Sequence, residues 1–206
     1  MCKTNLYEHN INLIRYGEQI ETDVESMNDG MFELFDDLCD MALSRVYNQT
    51  PKINNRFDFN ALNKNEVSMF KNMWLLCLAE LMFYGMRKKP GINELKKLFY
   101  KTVYQEISND SVRQKIMETA KLIPGLIFDD NNFVENDIFS APTANQDDGD
   151  PRNKGLGPEL SSLIVKTSFG QSNNLGPILV EIEKVVQIEF NNAYGHCSIA
   201  CSKFTF

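Results

Sequence analysis

The stretch Met73 to Tyr84 (MWLLCLAELMFY) carries one charge, Glu80, and is otherwise apolar on nearly every side of a helix. A helix of that kind cannot leave a face in water, so it sits in the middle of a bundle, covered all round by other elements. It is also far shorter than the roughly 20 residues a bilayer span requires, so no membrane partner is expected. The rest of the chain must therefore supply amphipathic helices that surround 65–87.

Three such helices are legible. From about Asp29 to Asn48, Phe32, Phe35, Cys39, Ala42 and Val46 recur at helical period, and Gln49-Thr50-Pro51 is expected to stop the helix. The central helix begins at Asn63-Lys64-Asn65-Glu66, a cap followed three residues on by a glutamate, and ends at Pro90-Gly91. Ile92, Leu95, Phe99, Val103 and Ile107 form the apolar side of the next helix, with Lys96, Lys97 and Lys101 opposite. Val112, Ile116, Ala120 and Ile123 mark a fourth, with caps available at Ser108 and Asp110. Residues 5–20 show only weak helical spacing and read as an arm or short helix.

Past Pro124-Gly125 the pattern changes. Ser140–Glu159 holds three prolines and three glycines with almost no apolar residue, and reads as an exposed linker. Leu160–Phe169 and Ile178–Phe190 read as strands. In the second, Val180, Ile182, Val186, Ile188 and Phe190 alternate with Glu181, Glu183, Gln187 and Glu189. Ile178, Ile182, Val185 and Glu189 also fit a helix. The expected fold is mainly α: a helical bundle head over 1–125 and an extended C-terminal arm over 126–206 containing a possible β-hairpin.

The formal net charge of −7 argues against nucleic acid as the main partner, because neutralising phosphates needs a basic surface. The N-terminus shows no apolar signal segment, and the five scattered cysteines suit reduced thiols in a cytosolic setting. Gly195-His196-Cys197-Ser198-Ile199-Ala200-Cys201 falls short of the four ligands of a structural zinc site and reads as a packed tail. Asp147-Asp148-Gly149-Asp150 lacks the alternating oxygens and closing glutamate of a calcium loop. No phosphate-cradling glycine loop is present, and histidine chemistry has only His9 and His196 as carriers. No catalytic, cofactor or metal residue is expected.

Asp36-Asp37-Leu38-Cys39-Asp40 places carboxylates at i, i+1 and i+4 of a helix, a spacing that can hold Mg²⁺ against a diphosphate. The string resembles the metal motif of all-α isoprenoid synthases, over five residues, without a matching second motif. Its plainer reading is a solvated face formed by Glu33, Asp36, Asp37 and Asp40. Charge is nevertheless strongly segregated. Between residues 21 and 50 eight acids face Arg45 alone, whereas 87–101 carries Arg87, Lys88, Lys89, Lys96, Lys97 and Lys101 against Glu94. Opposite patches on one chain suit a head-to-tail contact between copies, with the ten residues Glu33, Asp36, Asp37, Asp40, Arg87, Lys88, Lys89, Lys96, Lys97 and Lys101 as its interaction set.

DVESMNDGMFELFDDLCDMALSRVYN (23–48) and NEVSMFKNMWLLCLAELMFYGMRKKPG (65–91) together resemble, as a layout, the head-to-tail adaptor or ring proteins of tailed bacteriophages. The resemblance implies a non-enzymatic virion protein, assembled in the host cytoplasm as a homo-oligomeric ring between portal and tail. It also implies an arm docked on neighbouring subunits. Two other readings remain: an Mg²⁺-dependent all-α enzyme acting on a diphosphate through Asp36, Asp37 and Asp40, and a small acidic adaptor or inhibitor of another protein.

Overall fold

The structure, a computed structural model, describes residues 20–53, 64–123, 156–170, 178–202 and 204–205. Within them the chain forms six helices: α1 (Val24–Ile53), α2 (Lys64–Met86), α3 (Ile92–Glu106), α4 (Asp110–Ala120), α5 (Leu156–Phe169) and α6 (Leu179–Ser202). Two short strands, β1 (Ile20–Glu21) and β2 (Phe204–Thr205), pair in parallel and bring the two described ends together. The fold is mainly α.

The central position of α2 follows from its composition. It packs against all five other helices, and Met69 through Tyr84 are buried with the exception of Lys71, which is half-buried. Pro90-Gly91 turns the chain into α3, where Gly91 adopts a φ of 73°, a conformation that side chains with a Cβ rarely take. α1 packs against α3, with Phe35 and Phe83 both against Phe99 at ring-centroid distances of 5.6 and 5.9 Å. Trp74 is fully buried, edge-on to Phe190 at 5.3 Å.

Helix ends follow local chemistry. Asp23 caps α1 by accepting from the Ser26 amide (2.7 Å) and hydroxyl (2.8 Å). Those two bonds hold its carboxyl below the usual range. The helix therefore starts five residues before the expected Asp29, and it runs on to Ile53, past Pro51. Asn109, rather than Ser108 or Asp110, caps α4, accepting from Ser111 N (2.9 Å) and Val112 N (3.2 Å).

Three expectations about the second half are corrected. Leu160–Phe169 and Ile178–Phe190 are helical, as α5 and α6, and no β-hairpin forms there. The expected linker ends earlier, since α5 begins at Leu156 and takes Pro158 in its first turn, where a missing N–H does no harm. The described part of 126–206 is not an extended arm either. α5 and α6 pack on α2 and on each other, and α6 packs on α1, with Phe70 and Phe169 stacked at 5.5 Å. Residues 124–155, with most of Ser140–Glu159 and the Asp147–Asp150 loop, lie outside the described residues, as do 1–19 and Asn63.

The physical reason lies in the burial pattern of α6. Ile178, Ile182, Val186, Phe190, Ala193, Cys197 and Cys201 are buried, at the three- and four-residue spacing of a helix. Val180 and Ile188, two of the five apolar residues that make the sequence look alternating, are 63% and 59% exposed. In α5 the buried serines are satisfied inside the helix: Ser161 Oγ donates to the Gly157 carbonyl and Ser168 Oγ to that of Ile164, each at 2.7 Å.

Candidate functional site

The acidic string of α1 is split by its own helix. Asp36 and Asp40 lie one turn apart and share a single cation from α2: Lys71 Nζ is 3.3 Å from Asp36 Oδ1 and 2.7 Å from Asp40 Oδ1. Burial works against the charge of Lys71, but the hydrogen bond to Asp40 and the two carboxylates outweigh it and hold the ammonium above its ordinary range. Asp37 points elsewhere and is exposed, as is Glu33. The carboxylates at i and i+4 that would hold Mg²⁺ are thus already balanced by a lysine. Among the described residues no group of three or more His, Cys, Asp or Glu is placed to hold a metal ion.

The basic segment is divided as well. Lys96 is not on the surface: its side chain is 8% exposed and its Nζ lies 3.0 Å from Oε1 of Glu80, itself 1% exposed. Tyr100 donates its hydroxyl hydrogen to the same carboxylate. Lys89 bends onto the end of α6, donating to the Cys201 carbonyl (3.2 Å) and to that of Phe204. Arg87 lies over the Tyr84 ring, 4.3 Å from its centroid, and donates to the Tyr84 carbonyl at 2.9 Å. Lys88, Lys97 and Lys101 are exposed. Of the ten residues expected to form an interaction surface, Lys96 and Lys89 therefore serve the fold, and Asp36 and Asp40 are engaged by Lys71.

Where α1 diverges from α2 and the end of α3, a cleft of about 460 Å³ opens. Its apolar lining comes from Phe32, Val67 and Leu75, and its polar lining from Ser68 and Asn72. The Asp36–Lys71 pair forms part of one wall, and Lys64 and Glu106 complete the lining. Asn72 donates to the Ser68 carbonyl at 2.8 Å. The volume falls within the range of ligand-sized pockets, and among the described residues no nucleophile–base pair or oxyanion-type donor set lines it.

The cysteine-bearing tail is packed. Cys197 and Cys201 are fully buried, and burial raises both thiols, Cys201 to about 12 even with Lys89 pulling the other way. His196 is half-buried, and burial lowers its pKa. Such thiols are poor nucleophiles at neutral pH.

Sequence reasoning missed Lys71 and the Glu80–Lys96–Tyr100 group. Glu80 carried a usable signal, a lone acid in an all-apolar stretch, since a buried charge requires a partner. Lys96 sits at i+4 from Ile92 and i−3 from Phe99, on the border of the apolar side, and carried none. Among the described residues no helix is long and apolar enough to cross a membrane. No protein-family model matches the chain, and no curated protein or solved structure matches it.

Proposed function

We propose that the chain is a non-enzymatic assembly protein that forms a homo-oligomeric ring of the head-to-tail adaptor type, in a virion, between portal and tail. The observation that carries this reading is the segregation of exposed acidic and basic side chains on different helices. Glu33 and Asp37 on α1 keep the acidic face exposed, and Lys97 and Lys101 on α3 keep a basic face exposed. A surface with two unlike patches on one subunit suits a heterologous contact, which closes into a ring when the rotation permits. The partners are further copies of this chain and a larger protein assembly, with no cofactor.

The single-body core supports this reading in one further way. A subunit of a ring carries load between neighbours, and α2, gripped by five helices, gives such a subunit a rigid centre. The diphosphate-enzyme reading receives no comparable support, because Lys71 occupies the carboxylates it would need.

Native mass spectrometry and sedimentation velocity test the proposal. A closed oligomer is expected, weakened by Lys97→Glu with Lys101→Glu and partly restored by adding Glu33→Lys with Asp37→Lys. Exposed ion pairs contribute only about 0–1 kcal/mol each, so the effect should appear as altered register and salt sensitivity. A monomer at every concentration, capturing a single foreign protein at 1:1, would instead identify a small acidic adaptor or inhibitor.

A further inference from the structure

α6 turns an uncharged surface outward. From Val185 to Ala200 no residue outside the core is Asp, Glu, Lys or Arg, and the one acid of that stretch, Glu189, has a side chain 10% exposed and held by Arg45. Ile188 and Ile199 are 59% and 48% exposed, Asn192 is exposed and Gly195 is half-buried. At the helical pitch these four lie within about 60° of one another, in a stripe about 16 Å long with the four-three-four spacing of a helix-pairing seam. Depletion of charge marks the cores of protein contacts. Glycine is a poor residue for the middle of a helix, and its use on an outer face is to let another helix come close.

The other outer faces do not match this stripe. They carry Glu33 and Asp37 on α1, Lys97 and Lys101 on α3, Glu118 on α4 and Lys166 on α5, all exposed. Set against the stripe, such a charge would leave water with no partner to meet it. The one described surface of this chain that complements the stripe is therefore the stripe itself. We infer that α6 pairs with α6 of a second copy, antiparallel, about a two-fold axis.

Reversal sets Ile188 of one copy on Ile199 of the other and Asn192 on Gly195, because both pairs are centred between Ala193 and Tyr194. Each isoleucine gains an apolar neighbour, and each asparagine meets the space that glycine leaves. A parallel pairing in register would set glycine on glycine and leave a void in the seam. Opposed helix dipoles also favour reversal. A standard stable interface buries roughly 1,200–2,000 Å², more than a seam this short provides, so the pair forms and separates with concentration. The contact uses neither charged face and does not rest on the ring reading. Where both operate, it joins two rings back to back.

Sedimentation velocity of the full chain over a concentration series, with melting temperature as a folding control, tests the pairing. Every variant also carries Lys97→Glu and Lys101→Glu, which weaken the ring contact and leave α6 untouched. Ile188→Asp and Ile199→Asp are each expected to weaken dimerisation by about tenfold or more. Val180→Asp, exposed on α6 but outside the stripe, should leave it unchanged. Gly195→Leu should weaken dimerisation without lowering the melting temperature, which a folding defect would not do. The four described cysteines are buried, so Cys2→Ser gives a background for cross-linking. There a chain with Ile188→Cys and a chain with Ile199→Cys should be joined by a short bifunctional maleimide when mixed, and neither should be joined to itself. Dimerisation indifferent to both aspartates, cross-linking of either chain alone, or a monomer at every concentration overturns the α6 pairing. The ring reading is judged separately, by the charge reversals on α1 and α3.

Discussion

Lys96 and Glu80 face one another across the α2–α3 contact, Nζ to Oε1 at 3.0 Å, with the ammonium also 5.9 and 5.5 Å from the centroids of the Phe83 and Tyr100 rings. A charge pair this deep gains little net stability over apolar neighbours, yet losing one partner strands the other. Lys96→Met should therefore lower stability by about 3–5 kcal/mol, and Glu80→Gln by a comparable amount. Replacing both with apolar residues should cost clearly less than either alone. Urea denaturation of the four proteins gives the coupling directly. Additive losses would mean that the two groups do not act as a pair.

The phenols around Glu80 predict an alkaline weak point. Burial, reinforced by the Glu80 charge, holds Tyr100 well above its ordinary value and raises Tyr104 to about 12. Burial raises the thiols of Cys39, Cys77 and Cys197 in the same way, and that of Cys201 to about 12. In each case the folded state keeps its proton after the unfolded chain has lost it, so the stabilisation is complete below about pH 9 and declines as pH rises toward 12. Chemical denaturation at stepped pH should show that decline. Tyrosinate absorbance should show two phenols that ionise only with unfolding.

Lys89 joins the α2–α3 turn to the last described residues through the carbonyls of Cys201 and Phe204. Those carbonyls lie in the last turn of α6 and at the start of β2, and Thr22 N donates to the Thr205 carbonyl at 3.0 Å beside them. Lys89→Met should cost about 1–3 kcal/mol, the range of hydrogen bonds to a charged group. Hydrogen exchange should quicken at Ile20–Thr22 and at Cys201–Thr205 while α2 stays protected. Unchanged exchange at both ends would show that the strands hold without the lysine.

The first half of the fold is legible because its signals agree with one another. In 65–87 the all-round apolar run, the break at Pro90-Gly91 and the helices on either side all require a central α2. In α6 two signals conflict. Val180, Ile182, Val186, Ile188 and Phe190 satisfy period two over a short window, and their branching favours strand. Only by continuing through Ala193, Cys197 and Cys201 does the helical period win, because an alternating strand would bury Val180 and Ile188 as well. The charged surface was harder still. Which lysines fold inward depends on tertiary partners, and Lys89 and Lys96 find theirs 112 and 16 residues away.

The α6 assignment can be tested with one contrast. On a half-buried strand Val180 and Ile182 would share a face and respond alike. On α6 Ile182 is fully buried and Val180 is 63% exposed. Ile182→Ala should cost about 2–5 kcal/mol, whereas Val180→Ala should stay within about 0.5 kcal/mol. Equal losses from the two changes would contradict the helix.

Lys71 decides what the Asp36-Asp37-Asp40 string can do. With its ammonium between Asp36 and Asp40, a divalent cation would have to displace a lysine held at 2.7 Å from Asp40. The lysine and both carboxylates are partly exposed, so the arrangement contributes only about 0–1 kcal/mol and its removal should leave the fold intact. Millimolar Mg²⁺ should leave the melting temperature of the wild type unchanged. Lys71→Ala leaves two like charges one turn apart, a mild destabilisation of about 0.2–0.5 kcal/mol that a cation can relieve. That variant alone should gain stability on adding Mg²⁺. Stabilisation of the wild type by Mg²⁺, abolished by Asp37→Asn, would show that the carboxylates bind metal despite the lysine and would restore the diphosphate-enzyme reading.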